Sequence, residues 1–129
     1  MTALDVFARS GSTARPWGSY TVLDESSGSH KVKSITVHPG HRLSLQSHSA
    51  RSEHWFVVAG EGLVWRDEER IRLTAGSSID IPCGARHRIE CVGLEPLTFI
   101  EVQYGTSFGE DDIVRYDDDY GRAGSNAGE

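Results

Sequence analysis

The sequence is poor in sulfur and in positive charge. It has two cysteines and one methionine, and its 19 acidic residues outnumber 13 lysines and arginines, which gives a net charge of −6. No long basic run occurs, and a nucleic-acid surface would need a clustered basic face, so the sequence argues against a nucleic-acid partner. No apolar stretch is long enough to cross a bilayer. Because residues 1–14 lack the basic start and apolar middle of a signal peptide, we expect a cytoplasmic protein that does not bind membranes.

The two cysteines, Cys83 and Cys91, do not have the spacing of a zinc-binding or redox motif. In a cytosolic chain the sequence therefore predicts two reduced, mostly buried thiols. Hydrophobic residues make up 37% of the chain and charged residues 25%, which is ordinary for a globular domain. A chain of 129 residues is expected to form one domain and to bury about two thirds of its unfolded surface.

Short runs of strand-forming residues dominate the chain, and clusters of glycine, proline, aspartate and serine separate them. The predicted strands cover residues 19–23, 30–37, 43–47, 54–58, 63–65, 70–73, 78–81, 87–92 and 97–102. No long segment has a sustained helical period. The pattern predicts an all-β protein with an antiparallel sandwich or barrel.

Two segments, residues 40–60 and 76–87, each begin with a glycine and contain side chains that bind metals. The candidate ligands are two imidazoles, one carboxylate and one amide: His48, His87, Glu53 and Gln46. Two nitrogen and two oxygen donors suit one divalent metal ion in an open, catalytic type of site. Zinc is the first expectation, and manganese, cobalt, nickel or iron(II) would also fit these donors.

The charge of this donor set favours an anionic substrate. Glu53 supplies one negative charge, whereas the amide of Gln46 is neutral. With a divalent cation the site keeps a formal charge of about plus one. An amide oxygen from Gln46 in place of a histidine nitrogen also gives the metal a weaker ligand field, which favours Lewis-acid chemistry over oxygen activation by iron.

Strand alternation places two further polar side chains on inward faces. Lys33 shares a face with Ile35 and Val37, and Glu101 shares a face with Gln103. Inward polar residues are expected where a cavity holds solvent or a ligand. Lys33 is therefore a candidate for binding phosphate or moving a proton, and Glu101 is a candidate acid–base group. The alternatives are an edge-strand lysine and a salt-bridged glutamate, and the sequence does not choose between these interpretations.

The two glycine-led segments resemble the paired motifs of the cupin superfamily. The first has the spacing glycine, five residues, ligand, one residue, His48, four residues, Glu53, six residues, glycine. The second has the spacing glycine, five residues, proline, one residue, glycine, two residues, His87. Gln46 stands where many cupins carry their first histidine.

Further segments narrow the resemblance to the cupin domain of type II phosphomannose isomerases. They occur in one order and include Arg15-Pro-Trp-Gly-Ser-Tyr20, Leu43-Ser-Leu-Gln46, Glu53-His-Trp55 and Gly109-Glu-Asp-Asp-Ile-Val-Arg115. In bifunctional enzymes of this type the cupin domain follows a mannose-1-phosphate guanylyltransferase domain, which has no counterpart in these 129 residues. The chain also departs from the family at Ser49 and Ala50, which replace a run of histidines.

The resemblance implies an antiparallel, jelly-roll-like cupin domain over residues 15–122, with flexible segments at 1–14 and 123–129. It implies a metal-dependent isomerase that interconverts mannose 6-phosphate and fructose 6-phosphate through a cis-enediol. Glu101 and Lys33 are the candidates for the base. The resemblance also implies a functional role for Arg51, whose guanidinium could hold a phosphate or an enediolate oxygen; the alternative is a solvated turn arginine.

Two other functions fit the same sequence. The chain could be a metal-containing, sugar-binding or regulatory module without turnover, or an isomerase of an unphosphorylated sugar, because cupins host many unrelated functions. A basic pocket formed by Arg51 and Lys33 would favour the phosphorylated substrate. We also expect a homodimer, with residues 15–20 as a candidate contact, because a partner readily covers the exposed edges of a small sandwich.

Overall fold

The computed structural model describes residues 11–109 and 112–121. This part of the chain forms eleven β-strands and contains no helix, which confirms the all-β prediction. The strands are β1 (Thr13–Arg15), β2 (Gly18–Ser26), β3 (His30–Val37), β4 (Leu45–Ser47), β5 (Arg51–Ala59), β6 (Glu61–Arg66), β7 (Glu69–Thr74), β8 (Ser78–Ile81), β9 (His87–Cys91), β10 (Leu97–Gly105) and β11 (Val114–Asp117).

The sequence does not predict β1 or β11; the predicted β5 begins three residues too late, and the predicted β2 and β10 end three residues too early. These differences have one cause, because the segments concerned are short or polar and lack an apolar alternation. The predicted flexible tail at 123–129 and the predicted domain end at Arg122 lie outside the described residues, as do residues 1–10 of the predicted N-terminal segment.

Two antiparallel sheets form the molecule. One sheet has the strand order β1-β2-β3-β10-β5-β8, and the other has the order β11-β4-β9-β6-β7. Strands distant in sequence are neighbours, since β10 lies between β3 and β5. Buried apolar residues from both sheets form one hydrophobic cluster, so the sheets pack face to face as in a jelly roll.

The interior of the sandwich has an apolar end and a polar end. The buried residues of β5 are Arg51, Glu53, Trp55 and Val57, and those of β10 are Leu97, Phe99, Glu101 and Gln103. The two strands are antiparallel, and Glu53 pairs with Gln103 while Val57 pairs with Phe99. The polar halves of both strands therefore meet at the same end of the sandwich, and this end contains the candidate site.

Gly60 shows why the first motif ends in glycine. It has a φ of 86° in the turn between β5 and β6, a backbone conformation that residues other than glycine rarely adopt. A Cβ atom at this position would also lie 2.4 Å from the carbonyl oxygen of Pro96. Both the turn and the close approach of the backbone at Pro96 require a residue without a side chain.

The two cysteines differ in burial. Both are free thiols, and Cys91 is buried as predicted. Cys83 is exposed, so the prediction of a mostly buried thiol is wrong for this residue, because it lies in the turn between β8 and β9.

No helix in the described part of the chain is long and apolar enough to span a membrane.

Candidate metal centre

The four predicted ligands come from both sheets and converge in the polar end of the sandwich. Glu53 lies on β5, Gln46 on β4 and His87 on β9, and His48 follows β4. All four residues are at most 5% exposed. Gln46 and His87 are directly opposite each other in the β4–β9 pair, which brings two of the donors together through strand register alone.

Three of the donors, His48, Glu53 and His87, lie close enough to share one ion, and Gln46 contacts a ring nitrogen of His48. His48 Nε2 lies 3.1 Å from Gln46 Oε1, and His48 Nδ1 lies 3.6 Å from Glu53 Oε2. His87 Nε2 lies 4.0 Å from Glu53 Oε1. One ligand atom from each of His48, Glu53 and His87 lies within 4.8 Å of the others. Such a set of imidazole, carboxylate and amide donors fits a divalent transition metal.

Hydrogen bonds outside the donor set orient two of the ligands. Gln46 Nε2 donates to Ser44 Oγ at 2.8 Å, which turns the amide oxygen towards His48. His87 Nδ1 donates to the carbonyl oxygen of Ala85 at 3.0 Å. This bond fixes the tautomer that leaves the lone pair on Nε2, the atom that faces Glu53.

Both oxygens of the Glu53 carboxylate accept a hydrogen bond from a buried neighbour. Trp55 donates its indole N–H to Oε1 at 2.9 Å, and Arg51 Nε donates to Oε2 at 3.1 Å. Trp55 lies two residues along the strand, so it shares the inward face of Glu53. The carboxylate is therefore held in one orientation by the protein itself.

The environment keeps His48 in the neutral form that binds metals. Burial and neighbouring positive charges together lower the pKa of its imidazole from 6.5 to about 2; burial has the largest effect, followed by His87, Arg51, Lys33 and Arg115 in that order. A neutral imidazole is the metal-binding form, so protons do not compete for His48 near neutral pH.

A cavity of about 20 Å³ joins the donor cluster to the two other predicted polar residues. Its lining includes Lys33 and Glu101 as well as Tyr20. Lys33 and Glu101 are directly opposite each other in the β3–β10 pair. Glu101 Oε1 accepts a hydrogen bond from Gln103 Nε2 at 2.7 Å, which orients the carboxylate.

Arg51 lies beside Glu53 but does not line this cavity. Its side chain is 1% exposed, which excludes the solvated turn arginine. Beyond its bond to Glu53, it donates through an η-nitrogen to the carbonyl oxygen of Gly109 at 3.0 Å. These contacts make it a residue that positions the Glu53 carboxylate; its predicted contact with a phosphate stays a prediction.

Comparison with protein families identifies the chain. Residues 6–118 match the family model described as mannose-6-phosphate isomerase, C-terminal. The chain belongs to this family. The resemblance drawn from the sequence is thereby confirmed, and the chain is a cupin domain of the phosphomannose isomerase type.

Curated relatives in this family are much longer than the chain. Xanthan biosynthesis protein XanB of Xanthomonas campestris pv. campestris is 52% identical over 108 residues, which are 84% of this chain and 23% of XanB. Alginate biosynthesis protein AlgA of Pseudomonas aeruginosa is 50% identical over 113 residues, which are 88% of this chain and 23% of AlgA. Mannose-1-phosphate guanylyltransferase ManC of Salmonella typhimurium is 48% identical, with 84% of this chain and 22% of ManC covered. The chain therefore spans less than a quarter of each relative.

Solved structures of low sequence identity share the fold. The oxalate decarboxylase of Lactobacillus farciminis has a TM-score of 0.71 at 21% identity, covering 81% of this chain and 33% of that protein. A cupin 2 domain-containing protein of Halorhodospira halophila has a TM-score of 0.63 at 22% identity, covering 68% and 63%. These similarities establish the cupin fold and nothing about the reaction.

Two residues of this family member that the sequence analysis does not assign to the site lie against the donor cluster. Arg115 is 1% exposed and pairs with Gln46 across β11 and β4. Its charge acts on His48, because it contributes to the lowered pKa of that imidazole. Trp55 could have been found from its two-residue spacing to Glu53, whereas Arg115 depends on a strand that the sequence does not predict.

Asp112, which the sequence also does not assign to the site, binds the segment between β4 and β5 through hydrogen bonds. Its Oδ2 accepts hydrogen bonds from the backbone N–H groups of Ser49 at 3.1 Å and Ala50 at 3.0 Å. Thr106 N donates to the carbonyl oxygen of Ala50 at 2.9 Å. The segment that follows β10 therefore holds the turn that carries His48.

Proposed function

We propose that this domain is a metal-dependent isomerase that interconverts mannose 6-phosphate and fructose 6-phosphate. The supporting observation is that one cavity contains both the donor cluster and a buried, oriented carboxylate, Glu101, opposite Lys33. Membership of the mannose-6-phosphate isomerase C-terminal family supports the choice of substrate.

The charges around the cavity support an anionic substrate. Lys33, Arg51 and Arg115 are buried cations that all act on His48. Glu53 and Glu101 are the buried carboxylates in the lining of the same cavity. A bound divalent cation would add two positive charges, and buried charges interact more strongly than exposed ones. A sugar phosphate would offset this positive excess.

The reaction moves a proton between adjacent carbons of an open-chain sugar through a cis-enediol. The divalent ion, held by Gln46, His48, Glu53 and His87, supplies Lewis-acid polarisation of the substrate oxygens when it is bound. Zinc is our first expectation for this ion. Glu101 is the base in this proposal: it takes the proton from C2 of mannose 6-phosphate and returns it to C1, while the hydroxyl proton of O2 passes to O1, so that the C1 carbonyl becomes a hydroxyl and the C2 hydroxyl becomes a carbonyl. Gln103 holds Glu101 in place for both transfers.

The assay for this proposal uses the full chain, stripped of metal and reloaded with single ions. We expect conversion of mannose 6-phosphate to fructose 6-phosphate with at least one divalent ion. The activity should be lost in His87→Ala, which removes a ligand, and in Glu101→Gln, which keeps the shape of the side chain but cannot act as a base. Glu101→Gln should retain metal binding, whereas His87→Ala should lose it.

The same samples distinguish the alternatives. Binding of mannose 6-phosphate without turnover under every ion would contradict the isomerase and support a sugar-binding module. Turnover of mannose without turnover of mannose 6-phosphate would support an isomerase of an unphosphorylated sugar. Full activity in Glu101→Gln would remove this residue from the mechanism.

A further inference from the structure

The inner face of the six-stranded sheet orders the polar groups of the cavity in space. Glu53 lies on β5, Glu101 on β10, Lys33 on β3 and Tyr20 on β2, and these strands are consecutive neighbours. Neighbouring strands are about 4.8 Å apart, so the backbones of β3 and β5 are separated by about 10 Å. An extended hexose phosphate has a comparable length. A sugar whose first carbons lie at the donor cluster therefore carries its phosphate to the β2–β3 side.

Tyr20 on that side of the cavity is in contact with two cations. Lys33 Nζ lies 4.5 Å from the centre of the Tyr20 ring, and the guanidinium carbon of Arg15 lies 5.3 Å from it. Arg15 also approaches the Tyr20 hydroxyl at 3.4 Å through an η-nitrogen. The ring attracts each cation, so two positive charges lie beside Tyr20, where an anion would interact favourably with both.

Arg15 has hydrogen-bonding capacity at this position. Its Nε is buried and has no hydrogen-bond partner among residues 11–109 and 112–121. Thr13 pairs with Tyr20 across β1 and β2, and Arg15 lies two residues further along β1, so it shares the face of Tyr20 that is turned to the interior. A buried N–H without a partner is costly, and a phosphate oxygen is a strong acceptor for it.

Arg51, the other candidate for the phosphate, is on the opposite side of the site. It donates hydrogen bonds to the Glu53 carboxylate and to the carbonyl oxygen of Gly109. We propose that the substrate phosphate binds at the β1–β3 end of the cavity, where Lys33 and the Tyr20 hydroxyl contact it and Arg15, which contacts Tyr20 from outside the lining, adds a second positive charge. This inference rests on the proposed function, because it identifies where the same cavity recognises the phosphate.

The experiment measures binding of mannose 6-phosphate, mannose and inorganic phosphate to the metal-loaded full chain by calorimetry. We expect the wild type to bind mannose 6-phosphate at least about tenfold more tightly than mannose, because charge-assisted hydrogen bonds to phosphate are strong. Arg15→Met and Lys33→Met should remove most of this preference without changing the affinity for mannose. Tyr20→Phe, which deletes a single hydroxyl, should reduce it by about fivefold.

Lys31→Met is the matched control. Lys31 and Lys33 are the only lysines of the chain and lie two residues apart on β3, but Lys31 does not line this cavity. Its substitution should leave the preference for mannose 6-phosphate unchanged. Circular dichroism and the melting temperature show whether each variant is folded, and Tyr20→Phe keeps the test decisive if a variant at Arg15 or Lys33 does not fold.

The outcomes separate this inference from the proposed function. If the wild type binds mannose 6-phosphate but does not convert it, the isomerase is wrong, and the ratio of the two affinities still decides where the phosphate binds. If the wild type converts mannose 6-phosphate and Tyr20→Phe, Lys33→Met and Arg15→Met all keep the wild-type ratio, the inference is overturned while the isomerase stands. A wild-type protein that binds both sugars equally also overturns it.

Discussion

At the scale of single residues, the structure shows that the environment of Glu53 is built before any ion binds. Trp55 and Arg51 each donate to one of its oxygens. Groups that orient metal ligands contribute to affinity because they remove the cost of ordering the ligand when the ion arrives. The segment around Glu53 thus contains both a metal ligand and the two residues that orient it, Arg51 and Trp55.

Trp55→Phe tests this orienting role. The substitution keeps an aromatic ring and deletes the N–H that donates to Glu53 Oε1. We expect the affinity for the divalent ion to fall by about 10- to 100-fold, measured by competition with a chromogenic chelator. Trp65→Phe is the control, because the indole N–H of Trp65 is buried without a hydrogen-bond partner in the described residues. Equal affinities in the two variants would contradict the role of Trp55.

The low pKa of His48 predicts a pH dependence of stability. Burial, together with the neighbouring positive charges, lowers this pKa from 6.5 to about 2 in the folded protein, so the unfolded chain binds a proton below about pH 6.5 that the folded chain does not. The stabilisation is fully present above that pH, and on acidification it is lost at up to about 1.4 kcal/mol for each pH unit. Urea unfolding of the metal-free protein at pH 7 and pH 5 measures this loss. His48→Gln should lose less stability than the wild type over this interval; equal losses would show that another group is responsible.

At the scale of elements, the turn between β4 and β5 is held by the segment that follows β10. Asp112 accepts from the backbone of Ser49 and Ala50, and Gly109 accepts from Arg51. The turn carries His48 at one end and leads into Arg51 and Glu53 at the other. The position of two ligands therefore depends on a segment distant in sequence.

Asp112→Ala tests this dependence. Loss of the carboxylate leaves two backbone N–H groups without their acceptor, each at a cost of about 1–3 kcal/mol if it stays buried, and it loosens the turn. We expect weaker binding of the divalent ion and a higher KM for mannose 6-phosphate. Asp112→Asn keeps a carbonyl oxygen and should lie between Asp112→Ala and the wild type. Asp24→Ala, which removes an exposed aspartate on β2, should leave ion affinity unchanged.

At the scale of the whole molecule, the outer face of the six-stranded sheet has few charges. Phe56 and Val58 are 43% and 49% exposed on β5, and Ile100 on β10 lies directly opposite Phe56. His54 and Asp80 on this face form an ion pair with each other. Exposed apolar side chains on a sheet face are typical of association sites, and a face with few charges is complementary to a second copy of itself.

We therefore expect a homodimer that uses this face. Light scattering should give about twice the chain mass of 14.2 kDa. Phe56→Glu should shift the protein to the monomer, because it places a charge in the contact. Leu94→Glu should have no effect, since Leu94 is 95% exposed in a turn. A wild-type protein that is a monomer at working concentration would contradict the expectation.

The sequence predicted the architecture because its turns and apolar alternations are local signals. Motif spacing also indicated that His48, Glu53 and His87 face inward together, and these three residues lie close to one another in the structure; their role as metal ligands stays a prediction. The orientation of the Arg51 side chain could not be predicted from the sequence, because it depends on the Glu53 carboxylate and on Gly109, which lies 58 residues away. The involvement of Arg115 requires β11 to pair with β4, and no local pattern predicts such a long-range pairing.

The donors of the candidate centre are divided between the layers of the sandwich: Glu53 belongs to the six-stranded sheet, and Gln46 and His87 belong to the five-stranded sheet. An ion held by all of them would act as a cross-link between the two layers. Unfolding would then have to release it, so the melting temperature should rise with the logarithm of the free ion concentration once this exceeds the dissociation constant. Chelation would weaken the attachment of one layer to the other even where no substrate is present.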